Sequence, residues 1–119
     1  MSKSKVTFYD DISAFSGRKT ECVHHLIFGN GLRELADKDC IYIPLTNAEH
    51  SMSNAGLTFQ IHGNVAAEKL SKIAGQLAWE RIWLANQLEQ KSELEEESEQ
   101  AWLEEARRQF IRRYGKSYL

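Results

Sequence analysis

From Asn64 onward the sequence carries little besides helical pattern, and this commits nearly half of its 119 residues to two long helices. Asn64 is a good N-cap. Leu70, Ile73, Ala74, Leu77 and Ala78 then recur at the spacing of one apolar helix face. Ile82, Leu84, Ala85 and Leu88 extend that stripe loosely to about residue 90. Ser92-Glu93-Leu94-Glu95 has the form of a capping box, so a final helix is expected from there to about Tyr114, with Gly115 at C′. Leu94, Ala101, Trp102, Ala106, Phe110 and Tyr114 are its expected buried face. Trp79, Trp83 and Trp102 fall at helical positions, where aromatic residues fill a core or a helix–helix interface more often than they stack on bases.

Charge is concentrated in this helical half. Residues 1–88 balance nine acids with nine bases, residues 89–105 set eight Glu against Lys91, and residues 106–119 carry Arg107, Arg108, Arg112, Arg113 and Lys116. Glu early and Arg late is the order that a helix dipole favours. The same arginines could also serve as a patch that anchors phosphate.

The first half has to supply any sheet. Residues 21–28 read as a strand that runs into a loop, and Gly29-Asn30-Gly31 is a turn signal. Residues 32–39 are a loop or one short helix. Residues 41–45 are β-branched and aromatic, hence a strand, with Pro44 confining it to an edge or an end. A further short strand over Val6–Tyr9 is weakly patterned. Thr46-Asn47-Ala48-Glu49 is a second capping box, so a short helix bearing His50 is expected directly after the strand. Ser51 to Gly56 reads as its stop.

A chain of this length, 42% apolar and 27% charged, supports one domain with a real core. No apolar run approaches the roughly 18–20 residues that span a bilayer. Met1 to Lys5 is followed by no apolar stretch, so a secretory signal is not expected. Cys22 and Cys40 are too few for a disulfide framework, and reduced thiols in a cytosolic protein are the simplest reading. A site of these cysteines with a histidine could bind zinc, but two buried thiols fit better.

The chemistry points to the four histidines, His24, His25, His50 and His62, all within 39 residues and outside the long helices. Imidazole binds transition metals and takes protons near neutral pH. A metal-bound histidine beside one free to activate water suits phosphodiester hydrolysis. Neighbours in a strand point to opposite faces, so His24 and His25 should have different tasks.

Three segments carry a resemblance: Val23-His24-His25-Leu26, Ile43-Pro44-Leu45-Thr46-Asn47-Ala48-Glu49-His50 and Ile61-His62-Gly63-Asn64. Together they resemble the core of a His-Me-finger nuclease, the HNH-type, ββα-metal fold. More narrowly, the chain is similar to short phage and prophage proteins of this kind, including relatives of the RecA-dependent recombination-enhancement nuclease. Residues 75–83 and 114–119 share the likeness, which covers about residues 20–119. It implies an α+β fold in a single domain, 1–119: a small ββα-metal core over about residues 20–63, then two long C-terminal helices over 64–119. It implies metal-dependent hydrolysis of DNA in a bacterial host's cytoplasm with one divalent ion (Mg²⁺, Mn²⁺ or Zn²⁺). Expected partners are DNA, a recombinase of the RecA type and a second copy of the chain, with no membrane.

Carried onto this sequence, His25 matches the general base, and His24, His50 and His62 the metal ligands. Asn47 is a candidate orienting residue in catalysis. Asn54, Arg18, Lys19 and Arg33 are candidates for contacting the nucleic acid; for Asn47 and Asn54 a helix cap and a helix stop are the plainer roles. Thr46 stands where relatives often have Cys, and Glu49 where they have the first His of a pair. The central Asn of the pattern falls nearer Asp37 or Asp39 than Asn30. A non-catalytic DNA-binding recombination accessory protein and a helical dimerisation module are the alternatives.

Overall fold

The computed structural model describes residues 3–52, 60–90 and 98–119. The fold is α+β: a two-stranded antiparallel sheet with helices, two of them long and C-terminal. Strand β1 (Cys22–His25) pairs with β2 (Tyr42–Leu45), with His24 opposite Ile43 and His25 opposite Tyr42. Helix α1 (Leu32–Lys38) lies between them in sequence, entered through the turn at Gly29–Gly31. A single π-type turn (Ala48–Met52) follows β2, and α2 (Val65–Gln90) and α3 (Glu99–Tyr114) complete the order.

The segment before β1 lies along the outer edge of β2. The carbonyls of Cys40, Tyr42 and Pro44 accept from the Lys5 N–H, the Ser4 hydroxyl and the Ala14 N–H. The carbonyls of Ile41 and Leu45, at alternate positions, accept from Leu26 and Glu21 on the β1 side. Pro44, which has no N–H, thus falls at an outward position, as its place in the strand led us to expect. Val6–Tyr9 is not a strand. The Ser4 hydroxyl accepts from the N–H groups of Val6 and Thr7 (3.0 and 3.1 Å), closing a local turn instead.

The largest departure from the sequence pattern is the orientation of α2. Leu70 and Leu77, expected inside, are 65% and 49% exposed. The buried positions are Ala67, Ser71, Gly75, Gln76 and Glu80. The helix is turned by about one residue, roughly 100°. The cause is close approach: a Cβ on Gly75 would lie 2.7 Å from the Ile27 side chain and 2.9 Å from Leu26 Cβ. Small residues let α2 lie directly on the chain that leaves β1, and the buried polar ones are bonded: Ser71 to Leu26 O, Gln76 to Glu80 and Ser117, Glu80 to Arg107.

Helix α3 buries Trp102, Ala106, Phe110 and Tyr114, as expected. Its N-cap is Ser98, whose hydroxyl accepts from Ala101 N–H, rather than Ser92; residues 92–97, Leu94 among them, lie outside the described residues. It ends at Tyr114, with Gly115 in the left-handed region (φ 91°). The tryptophans line the α2–α3 interface: Trp79 meets Phe110 and Tyr114, and Trp83 meets Trp102. Asp39, just past α1, accepts from Trp79, Arg113 and Tyr114 together, tying that corner to both long helices. Next to this carboxylate, the buried Tyr114 phenol is held well above its ordinary pKa, by burial first and by Asp39 second. Both cysteines are free thiols, Cys40 buried and Cys22 half-buried. No described helix is long and apolar enough to cross a membrane.

Candidate metal centre

His24, His50 and His62 come together from three elements: β1, the π-type turn and the segment before α2. Their ring centroids lie 4.7–5.1 Å apart, and one ligand nitrogen from each falls within 4.8 Å of the others. Backbone bonds fix two of these elements to each other. The N–H groups of Ile61 and His62 donate to the carbonyls of Glu49 and His50, both at 3.0 Å. The Thr46–Glu49 capping box forms as its spacing requires, with Glu49 N–H donating to Thr46 Oγ1 and Thr46 N–H to Glu49 Oε1. Ser13 Oγ also donates to Glu49 Oε1 at 2.6 Å. Thr46 and Glu49 are therefore occupied in shaping the turn that carries His50. Burial acts to raise the Glu49 pKa, but the bonds from Ser13 and Thr46 outweigh it and hold the carboxyl below its ordinary value.

The surrounding bonds prepare the imidazoles as ligands. His24 is 1% exposed, and its Nε2 lies 2.7 Å from Ser71 Oγ. Ser71 has one hydroxyl proton, which goes to Leu26 O at 2.8 Å. His24 Nε2 must then carry the proton, leaving Nδ1 a bare lone pair, buried with no hydrogen-bond partner. A buried acceptor without a donor is costly, and a cation satisfies it. His62 Nδ1 faces the Glu68 carboxylate at 3.1 Å, which puts its proton there and frees Nε2. Burial first, and the neighbouring histidines second, lower the pKa of His24 to about 3. Burial likewise lowers that of His50, followed by His62 and Arg33. Neutral imidazole is the metal-binding form, which His24 and His50 hold, and with the His62 ring beside them the cluster fits a divalent ion.

His25 points to the other face of β1. Its Nε2 donates to Asp37 Oδ1 (2.9 Å), and Arg33 Nε donates to its Nδ1 (3.4 Å). These residues, with Glu34 and Lys38, line a surface cavity of about 400 Å³. Of the other expected site residues, Asn47 is exposed, and its bonded group is the backbone N–H, which donates to Glu21. Arg18 and Lys19 are exposed on the loop closed by the Ile12–Lys19 bridge. Asn54 lies outside the described residues.

The sequence reading missed Ser71 and Glu68. They sit three residues apart on α2 and reach two different histidines from one helix face. Comparison of the chain with protein-family models, with curated proteins and with solved structures finds no match.

Proposed function

We propose that this chain is a metal-dependent endonuclease that hydrolyses DNA phosphodiesters with a ββα-metal (His-Me-finger, HNH-type) core. The observation that carries the reading is the bare, buried Nδ1 of His24, on a ring packed against two further histidines and with a separate histidine next to it in β1. A divalent ion held by His24, His50 and His62 would supply Lewis-acid stabilisation of the charge that develops on phosphate and leaving oxygen. Three imidazoles suit Zn²⁺ or another transition metal better than Mg²⁺, which prefers oxygen ligands. His25 is the general base. Asp37 holds its proton on Nε2, so Nδ1 is the atom that takes a proton from water. Arg33 donates to that same Nδ1, so it must turn away for His25 to act, and a phosphate oxygen is the natural acceptor for its guanidinium.

The capped Nδ1 also supports the second reading, a DNA-binding recombination accessory protein in which His25 never acts as a base. Nicking of supercoiled plasmid and cutting of single-stranded DNA with Mg²⁺, Mn²⁺ or Zn²⁺ separate the two. Under the nuclease reading cleavage needs a metal and is lost in His25→Ala and in His50→Ala. Salt-sensitive DNA binding without cleavage by the folded wild type would favour the accessory role. Cleavage that survives His25→Ala would overturn the assignment of the base.

A further inference from the structure

Beside the metal centre α2 carries a cation with no acid to neutralise it. Lys72 lies one turn beyond Glu68, whose carboxylate is engaged with His62. No carboxylate among the described residues lies within ion-pair distance of Lys72. Its ammonium sits instead over the Phe28 ring, 4.6 Å from the centroid. Phe28 in turn meets the His62 ring edge-on at 4.8 Å. An aromatic face fixes an ammonium in position and leaves its charge intact, which an ion pair would not.

A second cation is brought to the same place at some structural cost. Lys72 and Lys116 lie 5.7 and 5.3 Å from the ring of Tyr118. The backbone that carries this ring is held by Gln76, a fully buried amide one turn beyond Lys72. Gln76 accepts from Tyr118 N–H at 2.7 Å and donates to Ser117 Oγ at 3.0 Å. A fully buried side chain is thus used to bind the C-terminal segment onto α2. The outcome is two ammonium groups around one ring, neither in an ion pair among the described residues, and Lys72 is joined through Phe28 to His62 of a centre that would itself hold a cation. Like charges gathered in this way fit an anion that lies between them.

We propose that Lys72 and Lys116 contact successive backbone phosphates of a nucleic-acid strand that runs from the His24–His50–His62 centre across Phe28 and Tyr118. This rests on the nuclease reading for the direction of the strand; the sequence pattern placed Lys116 in its basic C-terminal stretch but did not single out Lys72. The binding experiment needs no cleavage. Fluorescence anisotropy of labelled duplex and single-stranded DNA is measured in chelator over a series of salt concentrations. Wild type is compared with Lys72→Gln, Lys116→Gln, the double variant, and Lys69→Gln on an exposed position of α2.

Each track lysine removed should lower the salt dependence of log K by about 0.9 on duplex or about 0.7 on single strands. The effect should not depend on sequence, Lys69→Gln should match wild type, and Zn²⁺ uptake should be unchanged. Lys72→Arg should restore the slope. If the track variants bind with the wild-type slope while cleavage proceeds, the track is overturned and the nuclease reading stands. If they lose slope although no metal supports cleavage, the nuclease reading fails and the track survives. Absence of DNA binding by the folded wild type overturns both.

Discussion

At the scale of single residues, the candidate centre depends on where two protons reside. Ser71 and Glu68 hold the proton of His24 on Nε2 and that of His62 on Nδ1, leaving the other nitrogen of each ring as a lone pair. Partners of this kind are commonly worth 10–100-fold in metal affinity. Ser71→Ala and Glu68→Gln should each weaken Zn²⁺ binding by about that factor, read by competition with a chelating dye; unchanged affinity in both would show that the tautomers do not matter. The lowered pKa values give a second expectation. The folded chain keeps His24 and His50 neutral at a pH where the unfolded chain protonates them. Unfolded His24 takes up its proton near its ordinary value of 6.5, so metal-free protein is most stable above that pH and loses stability as pH falls toward about 3. Glu49, also lowered, adds its own loss only as pH falls below its ordinary 4.5. A lower melting temperature at pH 5 than at pH 7, in chelator, therefore reports the histidines, and a flat profile over that interval would contradict their burial as neutral groups. The histidines stood out in the sequence because their residue type names their chemistry. Ser71 did not, because it lies 47 residues from His24 and is an ordinary helix residue until the fold brings it there.

At the scale of elements, the strands, the capping box and the end of α3 were legible because local rules decide them. Strand propensity, the Thr46–Glu49 reciprocity and the left-handed Gly115 need only their near neighbours. The face of α2 was not legible. Its leucine stripe is the stronger periodic signal, but burial is decided by which side can come close to Leu26 and Ile27, and that side is the one with Ala67, Ser71 and Gly75. Two substitutions test this. Gly75→Ala should destabilise the protein by about 1–3 kcal/mol through overpacking, and Leu77→Ser, half-exposed, by no more than about 0.5 kcal/mol. Denaturant unfolding measures both. The reverse order would restore the leucine face to the core. Because Ser71 lies one turn from Gly75, a displaced α2 should also weaken Zn²⁺ binding in Gly75→Ala, though neither residue touches the ion.

At the scale of the whole molecule, the leucines left outside invite a comparison with the dimerisation alternative. Leu77 and Leu103 border one groove between α2 and α3, together with Glu104, Arg107 and Arg108. Helix α3 is acidic at its start and basic at its end, so two copies laid antiparallel would match charge along its length. Light scattering at low and high salt tests that arrangement: a dimer that dissociates as salt rises supports it, and a mass of 13.7 kDa at both removes it. The described sheet has only two strands, and among the described residues the outer carbonyls of β2 are bonded by the segment around Ser4, Lys5 and Ala14. That segment acts as a guard on an open edge. Trimming the chain through Thr7, which leaves Ser13 on Glu49, would bare the carbonyls of Cys40 and Tyr42 as a template for another chain's strand. The shortened protein should then self-associate into aggregates with its histidine cluster still intact, so a loss of solubility in such a truncation would report on strand edges and not on the metal centre.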